Sequence, residues 1–343
     1  MSHWSVYTGN SAPHDGIDRL PEPPPWRAFD GAPLVPSPRD ADDEAAVSPD
    51  RVHRARAYVA TAESVQLVNA ALVLRRPLLV TGPPGTGKSS LAYAVARELG
   101  LGPVLRWNIT SRSTLADGLY QYDPLSRLYA ARQAAWREHG EDATRGGVED
   151  HLRLGPLGTA LLPYSRPRAL LVDEIDKSDL DLPNDLLNVL EEGQYEIPEL
   201  MRAARLSPAD ATAEVLADGS DVPVAVARGR VRCRAFPFVV LTSNGEREFP
   251  PAFLRRCVRL KLRRPDREQL THIVRAHLDT PPGEAEHLID RFLARASDGE
   301  LATDQLLNAL YLTGVTGLDV ASRDALAEQL MPYLGATADG DGF

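Results

Sequence analysis

The eight residues Gly82-Pro83-Pro84-Gly85-Thr86-Gly87-Lys88-Ser89 constrain this chain more than any other stretch. They follow the apolar run Pro77-Leu78-Leu79-Val80 and precede Ser90-Leu91-Ala92-Tyr93-Ala94-Val95-Ala96, which reads as a helix. Strand, glycine-rich loop and helix in that order are the context a phosphate-binding P-loop requires. Gly82, Gly85 and Gly87 let the backbone turn sharply and bring successive N–H groups to phosphate oxygens. The helix N-terminus adds its partial positive charge. Pro83, Pro84, Thr86 and Ser90 complete the loop surface, Lys88 is placed to reach the β- and γ-phosphates, and the Ser89 hydroxyl is placed to sit on Mg²⁺. The expected ligand is therefore a nucleoside triphosphate, ATP with Mg²⁺.

At 343 residues the chain has room for two domains with cores of their own. No run of about 18 apolar residues occurs, so no transmembrane helix and no membrane role are expected. The first residues carry no basic stretch leading into an apolar one, and a cytoplasmic location is expected. The two cysteines, Cys233 and Cys257, lack metal-ligand spacing and read as buried thiols. A net charge of −10 and a pI near 5.4 argue against broad nucleic-acid binding. Lysine is scarce, only Lys88, Lys177 and Lys261, yet one of the three stands in the P-loop, where a compact ammonium suits phosphate.

Residues 1–50 hold nine prolines and nine acidic against three basic residues, including the cluster Asp40-Ala41-Asp42-Asp43-Glu44. That composition predicts a disordered or lightly tethered tail. A helix begins near Val52 and runs in pieces to Leu74. Strands are expected at Pro77–Val80, Val104–Ile109, Ala169–Val172, Phe238–Thr242 and, nearer an edge, Val258–Leu262. Alternation with helices gives an α/β fold: a P-loop parallel sheet sandwiched by helices over 51–264. A small all-α lid domain follows over 265–334, with helices expected at Arg267–Leu278, Gly283–Arg295, Thr303–Leu312 and Ser322–Tyr333. Residues 335–343 read as a loose C-terminus. Two stretches exceed a minimal core. The first, about 120–154, opens with Tyr120 and Tyr122, two aromatics on one face of an extended segment that either grip a partner or pack the insertion onto its own domain. The second, about 194–236, has alternating ends that read as two paired strands with helical material between them.

Leu170-Leu171-Val172-Asp173-Glu174 is an apolar strand ending in two carboxylates. Next to a P-loop, Asp173 is placed to hold Mg²⁺ through water and Glu174 to polarise the attacking water. With Gly82–Ser89, Val172-Asp173-Glu174-Ile175-Asp176-Lys177, Gly155-Pro156-Leu157-Gly158-Thr159-Ala160 and Leu190-Glu191-Glu192-Gly193 together, the chain resembles AAA+ ATPases of the MoxR type over about residues 55–334.

The resemblance implies further roles. Val240-Leu241-Thr242-Ser243-Asn244 matches the sensor 1 strand, with Asn244 helping to place the attacking water. Leu254-Arg255-Arg256-Cys257 matches the arginine-finger segment, with Arg256 the better fit and Arg255 the alternative, acting on a neighbouring subunit's nucleotide. That requires a homo-oligomeric ring, expected to be hexameric. The two insertions correspond to segments that face a pore or a substrate. MoxR-type relatives act as chaperone-like partners of proteins bearing von Willebrand A domains, so a protein partner of that class is implied. One departure stands out: no arginine falls in the sensor 2 register within Glu300-Leu301-Ala302-Thr303-Asp304-Gln305, where Thr303 or Gln305 would have to serve. Two alternatives stay open at this point, a nucleotide-dependent assembly switch in a bacterial conflict system and a nucleic-acid motor.

Overall fold

The computed structural model describes residues 4–38, 48–136, 147–206, 208, 211–278, 282–296, 301–316, 326 and 329–331. Its strands, in chain order, are β1 Leu78–Thr81, β2 Leu105–Asn108, β3 Tyr120–Tyr122, β4 Leu152–Leu154, β5 Ala169–Asp173, β6 Gln194–Glu196, β7 Thr212–Leu216, β8 Pro223–Ala227, β9 Arg230–Arg232, β10 Phe238–Ser243 and β11 Val258–Lys261. Five of them form a wholly parallel sheet in the order β11-β1-β10-β5-β2. The fold is the expected P-loop α/β sheet flanked by helices, with helices following at its C-terminal side.

Side-chain parity explains the layers. Leu78, Val80, Ala169, Leu171, Phe238 and Val240 face one way and pack with the P-loop helix Lys88–Leu99 and the helix Ala62–Leu74. Leu79, Leu170, Val172, Val239 and Leu241 face the other way, against Leu186, Leu187 and Leu190 of the helix Leu182–Glu192. β5 and β10 are buried on both faces and read as unbroken apolar runs. β11 lies at one edge, as its alternation of apolar and basic residues implies, and β2 lies at the other.

The two insertions build one structure. β3 and β4 from the first and β6–β9 from the second share a six-stranded sheet in the order β3-β4-β7-β8-β9-β6. The ends of the second insertion pair as expected, β6 antiparallel to β9, but between them lie both a helix, Pro198–Ala203, and a further hairpin, β7–β8. Tyr120 and Tyr122 are half-buried against the main core. The Tyr120 hydroxyl donates to Glu199 at 3.0 Å, and that of Tyr122 accepts from Arg127 at 3.2 Å. Both rings therefore pack on their own domain while remaining part-exposed.

The lid contains the helices Arg267–His277, Pro282–Ala296 and Thr303–Thr316, which share a core of Leu270, Val274, Ile289, Phe292, Leu306 and Leu310. Asp266 caps the first of them in a reciprocal box with Gln269. The expected helix Ser322–Tyr333 falls mostly outside the described residues, as do Asp40–Glu44 and 335–343. Among the described residues no single helix is long and apolar enough to cross a membrane.

The expectation of a disordered or lightly tethered tail is corrected for residues 4–38, which run as a strap across the domain. Val6 and Tyr7 donate their N–H groups to Asn69 Oδ1 at 2.7 and 2.9 Å, and Asn69 Nδ2 donates back to the Tyr7 carbonyl at 2.8 Å. Glu98, fully buried on the P-loop helix, accepts from Gly9 N, Ser11 N and the Thr8 hydroxyl. Further along, Arg27 donates to the Arg75 carbonyl at 2.7 and 3.0 Å and lies 4.6 Å over the Phe236 ring. Gly31 N donates to the Cys233 carbonyl at 3.0 Å, an approach only glycine allows because a Cβ there would fall 1.8 Å from the Arg232 carbonyl oxygen. The strap is short of apolar residues, but it needs few: Val6, Tyr7, Ile17 and Val35 are buried, and side chains from elsewhere in the chain satisfy its backbone. Proline also lowers the entropy that ordering costs.

Because Tyr7 is completely buried, Tyr7→Ala should cost about 3–5 kcal/mol and lower the melting temperature by roughly 10 °C. A melting temperature unchanged by the substitution would mean that the strap is not seated in solution.

Candidate functional site

The site lies at the C-terminal ends of β1, β5 and β10, the end of an open parallel sheet where ligands bind. A cavity of about 970 Å³ opens there, at the upper end of the roughly 300–1,000 Å³ usual for ligand sites. The sheet side supplies Pro84, Gly85, Thr86, Gly87, Lys88, Ser89, Ser90, Arg106, Asp173, Glu174, Thr242 and Asn244. Tyr58, Val59, Ala60 and Leu262 line another wall, and Pro265, Gln269, Ile273, His277, Thr303, Asp304 and Leu307 close it from the lid.

The P-loop is held by its own backbone and by the lid. Thr86 Oγ1 donates to the Pro83 carbonyl at 2.8 Å, and Lys88 Nζ donates to the Gly82 and Pro83 carbonyls, both at 2.8 Å. Gly82 and Pro83 thus sit behind the loop and position the lysine. Gly85 adopts φ +73°, and a Cβ on it would meet Ala302 Cβ at 2.7 Å, so the lid packs directly on the loop. Burial depresses the pKa of Lys88, while the carboxylates of Asp176, Asp173 and Glu174 oppose that shift.

Asp173 ends β5 at the centre of a network. Its Oδ1 accepts from Ser89 Oγ and from Thr242 Oγ1, both at 2.7 Å, and its Oδ2 accepts from an Arg106 guanidinium nitrogen at 2.9 Å. Ser89 and Asp173 therefore converge from two elements, offering hard oxygen donors of the kind Mg²⁺ takes. The residues present fit that ion. Glu174 follows in the left-handed region, φ +61°, a costly conformation for a glutamate and one that marks functional sites. Its N–H donates to Thr242 Oγ1 at 2.9 Å, and its carboxylate pairs with Lys177 Nζ at 2.8 Å.

Asn244 faces the cavity from the turn after β10, and Asp176 holds that turn. Asp176, buried, accepts on one oxygen from Ser243 Oγ, Asn244 N, Gly245 N and Glu246 N at 2.9–3.2 Å. Asp173 and Asp176 thus brace two functional segments through β10. Of the lid residues considered for the sensor 2 role, Thr303 lines the cavity, whereas Gln305 turns back to accept from Ala302 N at 2.9 Å. His277 lines the lid wall with Nδ1 2.9 Å from His53 Nε2, and burial followed by the facing imidazole holds its pKa below the usual histidine range.

Arg255 and Arg256 do not reach this cavity. They follow the short helix Pro251–Leu254, and Val258 N bonds to the Pro77 carbonyl, at the opposite end of the sheet from the P-loop. Arg256 Nε instead lies 2.9 Å from Glu191 Oε1. Sequence reading missed Arg106, Thr242, Asp176 as the brace of the turn after β10, and Tyr58. For Asp176 a signal was present, a second aspartate three residues beyond Asp173. For Arg106 the signal was a lone arginine between Leu105 and Trp107 on a short strand.

A solved structure of a candidate ATPase from Cytophaga hutchinsonii is similar to this chain at 15% identity and a TM-score of 0.37, covering 66% of this chain. This chain spans 53% of that protein, and a likeness of this size carries no weight for fold or function. No curated protein matches the chain in sequence. The family model of the AAA domain, dynein-related subfamily, matches residues 77–257, from the strand before the P-loop to the turn before β11. That match covers just over half of the chain and contains the P-loop, Asp173, Glu174 and Asn244: the chain belongs to the AAA domain family, dynein-related subfamily, and carries its nucleotide-binding domain.

Proposed function

We propose that this chain is a Mg²⁺-dependent ATPase of the MoxR type, acting in the cytoplasm, that assembles into a homo-oligomeric ring and uses hydrolysis to remodel or activate a partner protein. The observation that supports the ATPase reading is the Asp173 network: the Ser89 hydroxyl donates to Asp173, a pair of oxygen ligands that would hold Mg²⁺, and Thr242 joins Asp173 to the backbone of Glu174. Bound Mg²⁺ would neutralise the charge that builds on the phosphates as the bond to the γ-phosphoryl group breaks. Lys88 withdraws from the Gly82 and Pro83 carbonyls to the β- and γ-phosphates. Glu174 leaves Lys177 to orient and polarise the attacking water, and Asn244, fixed by Asp176, helps place that water. The lid touches the loop at Gly85, where Ala302 and Thr303 lie against it.

The placement of Arg256 away from its own P-loop supports a role in a neighbouring subunit's site, hence the ring, with six subunits as the expected number. A protein partner is supported by the helix Pro124–Trp136, whose Leu125, Leu128 and Tyr129, spaced on one helical face, are all exposed. A protein bearing a von Willebrand A domain is the class implied by the MoxR resemblance. A slower, switch-like use of the same site is favoured by one observation: the helix beginning at Thr303 offers the cavity Thr303, Asp304 and Leu307 rather than a cation.

Lys88→Ala should abolish binding of an ATP analogue measured by titration calorimetry, whereas Glu174→Gln should bind it and release phosphate far more slowly than wild type. Equal loss of binding in both variants would misplace the catalytic carboxylate.

Arg256→Ala should lower turnover by about 10³-fold with little change in ATP affinity. Mixed with Glu174→Gln protein it should regain part of the activity at interfaces where each subunit supplies what the other lacks. No recovery in mixtures shown to exchange subunits would rule out shared sites.

A further inference from the structure

Arg106 has no place in the P-loop reading above, yet it touches the carboxylate on which that reading turns. It stands on β2, the sheet edge beside β5, between the buried Leu105 and Trp107. Those two face the core layer under the insertions, so Arg106 faces the other way, toward the P-loop helix. Its guanidinium crosses to Asp173, placing one terminal nitrogen 2.9 Å from Oδ2. Nε is buried without a hydrogen-bond partner, so the group is held there by the carboxylate rather than by a wider set of contacts.

The geometry divides the two oxygens of Asp173. Oδ1 faces Ser89 and Thr242, the side on which the ion would be held, and Oδ2 is taken by a fixed protein cation. A divalent ion arriving alone at Ser89 and Oδ1 meets a carboxylate whose charge Arg106 already offsets, with the guanidinium one carboxylate away. That repulsion lowers the affinity for a lone divalent ion, and because the Arg106 side chain is 34% exposed, solvent screening leaves an effect of about tenfold or more. Triphosphate oxygens reverse the balance: they supply the negative charge that lets Lys88, Arg106 and the ion share one cavity.

Resting on the nucleotide reading of this cavity, we propose that Arg106 is a positioning residue that couples metal to nucleotide: it keeps Asp173 aligned with Oδ1 toward Ser89 and disfavours a divalent ion that arrives without ATP. Mg²⁺ then enters as Mg·ATP, and the P-loop is not occupied by free metal.

The test is a Mn²⁺ titration followed by electron paramagnetic resonance, without nucleotide and with a non-hydrolysable ATP analogue, on full-length wild type, Arg106→Gln, Arg106→Thr and Arg106→Lys. Wild type should bind Mn²⁺ alone weakly and far more tightly with the analogue. Arg106→Gln should bind Mn²⁺ alone about tenfold or more tightly than wild type, shrinking the effect of the analogue by a similar factor. Arg106→Thr, a residue suited to an edge strand, carries the same expectation should Gln loosen β2. Arg106→Lys, which keeps the charge, should stay near wild type. Analogue binding by the wild type, with Mn²⁺ affinities alone agreeing within twofold across the variants, would overturn this proposal and leave the nucleotide reading intact. Failure of the wild type to bind the analogue at all would overturn the nucleotide reading, and this proposal with it.

Discussion

The carboxylate of Asp173 is the tie on which the site depends. It is almost wholly buried, and three side chains from three different elements converge on it: Ser89 from the P-loop helix, Thr242 from β10 and Arg106 from β2. A buried carboxylate is tolerated only when its oxygens are satisfied, so the three donors are a condition for its being there. The same tie sets the sheet order to work. β5 sits between β10 and β2, so one acid at its end can be braced from both sides. Asp176, three residues on, repeats the device, gathering the turn after β10 around one oxygen and setting Asn244 at the cavity.

Around this tie the domain is closed by segments distant in sequence. The strap of residues 4–38 is pinned by Asn69 and by Glu98, and Glu98 lies on the helix that begins at the P-loop. The lid presses Ala302 and Thr303 on Gly85. The helix carrying Lys88 and Ser89 is therefore held at one end by the lid and at the other by the strap. Movement of the lid bears on the phosphate loop through direct contact.

The parallel sheet was legible because each central strand is a continuous apolar run, and because β11 alternates as an edge strand does. The P-loop was legible because its function is local: one loop, one lysine and one hydroxyl, contiguous in the chain. The strap was not. Its composition lacks apolar area, and what orders it are two buried polar side chains, Asn69 and Glu98, that look like ordinary helix residues. The shared sheet of the two insertions was hidden for a related reason: β4 pairs with β7 across some sixty residues, a contact that no local pattern encodes. The contacts of Tyr120 with Glu199 and of Tyr122 with Arg127 were hidden likewise, since each joins residues that no local pattern of the two tyrosines points to. Arg106 illustrates the general limit, since a single arginine on an edge strand acquires meaning only from the carboxylate it reaches.

The most direct measurement is phosphate release from ATP by the purified full-length protein over a wide range of protein concentration, with Mg²⁺ and with chelator, beside Asp173→Ala. If the Asp173 network holds the metal, wild type releases phosphate only with Mg²⁺, and Asp173→Ala loses that release while keeping a folded far-ultraviolet circular dichroism spectrum. Equal release by both proteins, or none from the wild type at any concentration, would contradict the account.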